Sequence, residues 1–217
     1  MRRRKMDFHR VQRTLDALEA LYPEARAELN FTNPYETLVA TILSAQCTDK
    51  RVNLVTERLF KLYPDAKAMA ALTPEALEPH IKECGIYHNK ARNIVNASRA
   101  LVDQYGGIVP ADREKLMALP GVGQKTAGVV LLAAFGDDQI PVDTHVFRVS
   151  RRIGLADAPT PEKVEAQLRE ILPKESWSHA HHLLIWHGRR CCHAQRPACA
   201  NCPLARELCD YMKTGED

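Results

Sequence analysis

Apolar residues along this chain recur at intervals of three and four, the period of one helix face. Val11, Leu15, Leu18 and Leu21 form one stripe, Leu38, Val39 and Ile42 a second, and Val52, Val55, Leu59 and Leu62 a third. Ile94, Val95, Leu101 and Val102, then Val164, Leu168 and Ile171, continue the pattern. Asn33-Pro34, Thr73-Pro74 and Thr160-Pro161 each set a capping side chain before a proline at the first helical position, and Thr48 and Asp65 are further caps. Gly106-Gly107 predicts a helix stop. Alternation of period two is missing, and the β-branched stretch from Gly128 to Leu132 continues a helical pattern. The chain therefore reads as all-α, with about ten short helices joined by short loops. No repeat, low-complexity tract or linker interrupts it, so any lobes are joined through packed helices rather than a tether.

Composition narrows the class. The chain has 217 residues, 45% apolar and 26% charged, enough for one large or two small domains with a real core. Thirty Lys and Arg face 27 Asp and Glu, a net charge of +3, so any basic surface has to be local. No apolar stretch approaches the roughly 20 residues needed to cross a bilayer. Arg2, Arg3, Arg4 and Lys5 look like the start of a signal peptide, but the polar run Asp7 to Arg13 follows them. The expectation is a soluble, cytoplasmic protein with no membrane partner.

The seven cysteines are unevenly placed. Cys47 and Cys84 stand alone in apolar settings and read as small buried hydrophobes. Cys191, Cys192, Cys199, Cys202 and Cys209 crowd the end of the chain, and from Cys192 the spacing is C-x6-C-x2-C-x6-C. Four thiolates in so short a span fit an iron–sulfur cluster or zinc. Zinc sites usually show two paired arms, whereas here one pair is flanked by longer gaps, which favours the cluster. Cys191 and His193 adjoin the first ligand and are alternatives to it.

A second motif is Leu-Pro-Gly-Val-Gly-Gln-Lys-Thr at 119–126. Gly121 and Gly123 around Val122 allow a sharp turn and leave amides uncovered at a helix N-terminus, a ready anion site suited to a phosphate. A nucleotide-binding P-loop fails, because Gln124 stands where glycine is needed and helices flank the turn. Lys125 falls in the first helical turn, where the helix dipole disfavours its positive charge; burial or a neighbouring cation would add to this and free an amine nucleophile. Ile-Pro-Val-Asp-Thr-His at 140–145 places Asp143 as an N-cap, a structural role, though a carboxylate at a helix mouth can also shuttle protons.

Five strings together, Leu-Ser-Ala-Gln at 43–46, Gly-Ile-Tyr at 85–87, the hairpin at 119–127, Val-Asp-Thr-His at 142–145 and the terminal cysteines, resemble the endonuclease III family. These are helix–hairpin–helix enzymes, bifunctional DNA glycosylases and AP lyases. The resemblance spans about residues 30 to 211 and implies a two-lobed protein with duplex DNA bound across a cleft. A six-helix lobe would cover 30–139, and residues 1–29 with 140–217 would form a lobe holding a [4Fe–4S] cluster on Cys192, Cys199, Cys202 and Cys209. Lys125 would be the nucleophile and Asp143 its catalytic partner. Gln46 and Ile86 would fill the gap left by an extruded base, with Gly121, Val122 and Gly123 on a phosphate and Arg196 also facing DNA. The implied reaction is excision of an oxidised pyrimidine from duplex DNA, then strand cutting by β-elimination, by a monomer.

Three features depart from that pattern. The last cysteine gap is one residue longer than the family's, the loop from Cys192 to Cys199 carries Arg196 as its one Lys or Arg, and Ile86 replaces the usual leucine. Arg189, Arg190 or the N-terminal basic run would offset the thinner loop charge. Lys125 separates the chain from related adenine glycosylases, whereas pyrimidine-dimer glycosylases keep that lysine and are the alternative substrate class. A non-catalytic, cluster-bearing DNA-binding module is the alternative of a different kind. His179, His181, His182, His187 and His193 read mostly as satisfied core or surface histidines.

Overall fold

The computed structural model describes residues 7–214, so Arg2, Arg3, Arg4 and Lys5 lie outside the described residues. Regular structure among the described residues is helical throughout, with no strand. The α-helices run α1 Phe8–Leu21, α2 Pro34–Leu43, α3 Asp49–Leu62, α4 Ala66–Ala70, α5 Pro74–Ile81, α6 Tyr87–Tyr105, α7 Arg113–Met117, α8 Gln124–Phe135, α9 Thr144–Arg152, α10 Pro161–Ile171, α11 Trp177–Arg190 and α12 Tyr211–Thr214. Side chains of Asn33, Thr48, Asp65, Thr73 and Thr160 each accept a backbone N–H three residues on, which fixes where five of these helices start. Gly106, at φ +63°, ends α6.

The chain divides into two compact units, Ala27–Asp137 and Met1–Arg26 with Asp138–Asp217. The division falls at 26/27 and 137/138, against 29/30 and 139/140 read from sequence. The Ala27–Asp137 unit contains α2 to α8, seven α-helices, of which α4 and α7 are five residues each. Its core is built around α2, whose Leu38, Val39, Ala40 and Leu43 are essentially inaccessible, and which packs on α8. Long α6 lies on α4 and α5, burying Ile94, Val95 and Leu101.

In the other unit Val11, Leu15 and Leu18 of α1 share a core with Ile140, Val149, Leu168 and Leu184. Helices α9 and α11 cross so closely that a Cβ at Gly188 would lie 2.9 Å from that of His145. Arg10 fastens α1 to the chain's end, donating to Ile153 O and Leu208 O at 3.0 Å each and to Asp210 at 2.6 Å. Two stripe positions differ from expectation: Leu21 and Leu62 are 38% and 56% exposed, since each falls in the last turn of its helix, beyond the core. No helix of the described residues is long and apolar enough to cross a membrane.

Candidate active site and metal centre

The glycine turn joins α7 to α8 as the sequence implies. Val122 is 6% exposed and its N–H bonds to Leu119 O at 3.1 Å, so the apolar residue between the glycines pins the turn to the core. Gly121 has φ +78°, and a Cβ there would lie 2.7 Å from the Asn93 side chain on α6, so two independent constraints require glycine. Nothing stands within 4 Å of where a Gly123 Cβ would be, and no described side chain caps α8. The first amides of α8 are left open beside Lys125, which is itself exposed. Lys125 therefore stands in the first turn of α8 as the sequence implies, but exposed rather than buried.

Gln46 lies within the turn between α2 and α3 and Ile86 directly before α6, two loops of the same unit. Both are exposed and both have left-handed backbones, φ +53° and +47°. Among the described residues three that are not glycine have positive φ, and the third is Arg196 at +51°. Such conformations cost about 1–3 kcal/mol each and gather at functional sites; for a β-branched residue the strain is unusual. These three are the same residues that the resemblance assigned to DNA contact outside the hairpin. Cys47 and Cys84 do not stand alone as expected: the chain brings their thiols together beneath these loops, and burial, then Cys47, pushes the Cys84 thiol up to about 12. Lys90, overlooked in the sequence, is buried there, and desolvation lowers its pKa.

Asp143 is half-buried and Oδ1 accepts from His145 N at 2.9 Å and Val146 N at 2.8 Å, so it caps α9. Cap and catalyst are separable by substitution. Asp143→Ala should lose about 1 kcal/mol of stability, whereas Asp143→Asn keeps an acceptor and near-wild-type stability in urea unfolding. A proton-transfer role predicts that both variants lose about 10²-fold or more in single-turnover base excision; full activity in the asparagine variant would leave the cap as its role.

All five C-terminal cysteines line one small, partly open pocket together with Arg152. Arg152 is buried; its guanidinium donates to His193 O at 2.7 Å and Ala194 O at 3.2 Å and lies 3.8 Å from Cys192 Sγ. Arg148 holds Cys192 O at 3.0 Å. These two arginines, which the sequence does not single out, set the position of the Cys192 loop. Donor atoms of His187, Cys191 and Cys202 fall within 4.8 Å of one another, so one of the four spacing-derived ligands belongs to this tightest group. Burial holds the His187 imidazole near 4, and its Nδ1 lies 3.1 Å from Tyr22 OH. Burial, then Cys202, raises the Cys191 thiol to about 12. Four or five thiols around one pocket fit a thiolate-ligated metal group. His181 Nδ1 meets Pro141 O at 2.9 Å, a satisfied core histidine.

Comparison with known proteins agrees with this architecture. Residues 39–174 match the HhH-GPD superfamily of base excision DNA repair proteins. The chain is 46% identical over 200 residues to endonuclease III of Bacillus subtilis (strain 168), covering 92% of this chain and 91% of that protein. It is also 46% identical over 191 residues to endonuclease III of Escherichia coli (strain K12), covering 88% and 90%. A solved non-covalent endonuclease III–DNA complex superposes with a TM-score of 0.91 at 47% identity, over 96% of this chain and 97% of the other. A trapped endonuclease III–DNA covalent intermediate superposes with the same TM-score and identity, over 96% and 98%. With agreement along nearly the whole length of these proteins, the chain belongs to the HhH-GPD superfamily of base excision DNA repair proteins, in its endonuclease III family of DNA glycosylases and AP lyases.

Proposed function

We propose that this glycosylase and AP lyase acts on oxidised pyrimidines in duplex DNA, inside the cell and as a monomer, with Lys125 as nucleophile. The supporting observation is the exposed lysine in the first turn of α8, directly after a glycine turn whose amides are open to a phosphate. Docking a backbone phosphate on Gly121 and Gly123 brings deoxyribose to the amine. Extrusion of the damaged nucleotide exposes C1′. The Lys125 amine attacks C1′, the base departs, and ring opening leaves a Schiff base between Nζ and the sugar. Removal of a C2′ proton then expels the 3′ phosphate by β-elimination. Asp143 is the carboxylate that takes and returns protons. Gln46 and Ile86 enter the gap, and their left-handed backbones are the strain such a role explains. Arg196 adds a phosphate contact.

Cys192, Cys199, Cys202 and Cys209 are the proposed ligands of a [4Fe–4S] cluster. When bound, it would cross-link the C-terminal loops and offer one-electron chemistry. Their shared cavity supports this set. A second reading, zinc on His187, Cys191 and Cys202, is favoured by the closeness of those three donors. Colour and metal content of the purified protein separate the two: brown with about four iron atoms, or colourless with zinc.

The strain at Ile86 gives a test of site against stability. Ile86→Gly relieves the left-handed backbone, and glycine's extra unfolded-state entropy offsets only part, so a gain of about 0.5–1 kcal/mol is expected in urea unfolding. Base excision from duplex DNA should nevertheless fall about tenfold or more, because the side chain that fills the gap is gone. Unchanged excision would remove Ile86 from the site.

A further inference from the structure

Gln46 and Ile86 are far apart in sequence, yet one buried cation holds the roots of both loops. Lys90 is 4% exposed, and its ammonium donates to Leu43 O at 2.8 Å and to Cys84 O at 2.7 Å. Leu43 is the last residue of α2, so its carbonyl is one of those a helix end leaves without an internal partner, at the negative pole of the helix dipole. Cys84 closes the 3-10 turn Lys82–Cys84. Gln46 comes three residues after the first anchored carbonyl and Ile86 two after the second. The backbone N–H of Lys90 also bonds to Ile86 O at 3.2 Å. One turn further along α6, Asn93 packs on Gly121 of the phosphate turn.

A buried lysine is an expensive way to fill this place. Lys90 continues the buried stripe of Ile94 and Leu101 on α6, where an apolar residue would serve the core. Its partners here are two neutral carbonyls, which repay less of the desolvation than a carboxylate would. What the ammonium adds is a fixed link between two carbonyls on different elements. Left-handed, non-glycine residues persist only where their surroundings over-determine them, and both of those closest to Lys90 hang from the carbonyls it holds.

We infer that Lys90 is a positioning residue, whose ammonium sets the separation and attitude of the Gln46 and Ile86 loops so that both side chains enter the duplex together. The inference rests on the gap-filling role proposed above. It separates two substrates. A paired lesion in duplex DNA needs both loops in register before its sugar is reachable; an abasic site in single-stranded DNA has no partner strand and no gap to fill, and needs only the amine.

The test is single-turnover cleavage by Lys90→Met, with thymine glycol opposite adenine in a duplex and an abasic site in a single strand as the two probes. Duplex excision should fall about 30-fold, the scale of a small misplacement of a positioning group, while single-strand cleavage stays within about threefold. In a double-mutant cycle, Gln46→Ala with Ile86→Ala should cost the wild type about 30-fold on the duplex but the Lys90→Met protein less than about threefold more, because the lysine acts through them. Equal losses on both probes, independent multiplication of the two effects, or an undiminished duplex rate would each overturn the inference. Should Lys90→Met not fold, Lys90→Gln, with a donor too short to reach both carbonyls, enters the same cycle with the same thresholds. Failure of the underlying gap-filling reading is distinct: it would show with Lys90 intact, as a duplex rate that Gln46→Ala with Ile86→Ala leaves unchanged.

Discussion

Lys125→Gln is expected to abolish strand cutting and borohydride trapping on DNA with an abasic site, with a loss of at least about 10³-fold in single-turnover rate. No other group at the turn offers a primary amine there, and glutamine keeps the length and polarity of the side chain without the nucleophile. Lys125 is exposed, so unfolding in urea should move by no more than about 0.5 kcal/mol. Affinity for the same DNA should persist, and should still fall steeply with salt, because the phosphate contacts are made by the turn and by other cations. Loss of cutting together with loss of folding would assign the residue to structure instead; retained cutting would move the nucleophile elsewhere.

Cys192→Ser and Cys191→Ser are expected to part company, though adjacent in sequence. Cys192 is buried, its carbonyl is held by Arg148, and its sulfur lies 3.8 Å from the Arg152 guanidinium, so its position is fixed toward the shared cavity. Its serine variant should lose most of the bound iron and the brown colour. It should also lose at least about 3 kcal/mol of stability, since metal-binding free energy in a small loop-built site is folding free energy. Cys191→Ser should keep iron and stay within about 1 kcal/mol of wild type. The reverse result, iron lost with Cys191 and kept without Cys192, would favour the ligand set that joins Cys191 to His187 and Cys202. Iron analysis with thermal unfolding reads both outcomes.

Local chemistry made much of this legible in the chain. Caps at Asn33, Thr48, Asp65, Thr73 and Thr160 show in sequence because one side chain and one amide three residues away suffice to make them. The turn at 121–123 is legible for the same reason: a positive φ at Gly121 and an apolar anchor at Val122 are nearest-neighbour demands. What stayed hidden depends on contacts between distant segments. Cys47 and Cys84 read as isolated because only the fold sets the end of α2 beside the turn before α6. Lys90 carried a signal that periodicity contains, a lysine in register with a buried stripe, but the carbonyls it serves come from two other elements. The sequence does not single out Arg148 and Arg152, because the carbonyls they hold belong to the Cys192 loop about forty residues on. The left-handed backbones at Gln46, Ile86 and Arg196 have no sequence signature, since none of the three is a residue type that favours them.

The most direct test is to locate the bond. Wild-type protein trapped with borohydride on duplex DNA containing thymine glycol, then digested and mapped by mass spectrometry, should carry the reduced deoxyribose remnant on the peptide containing Lys125, at its Nζ. A remnant on any other lysine or on the N-terminal amine, or strand cutting with no covalent remnant, would contradict the account.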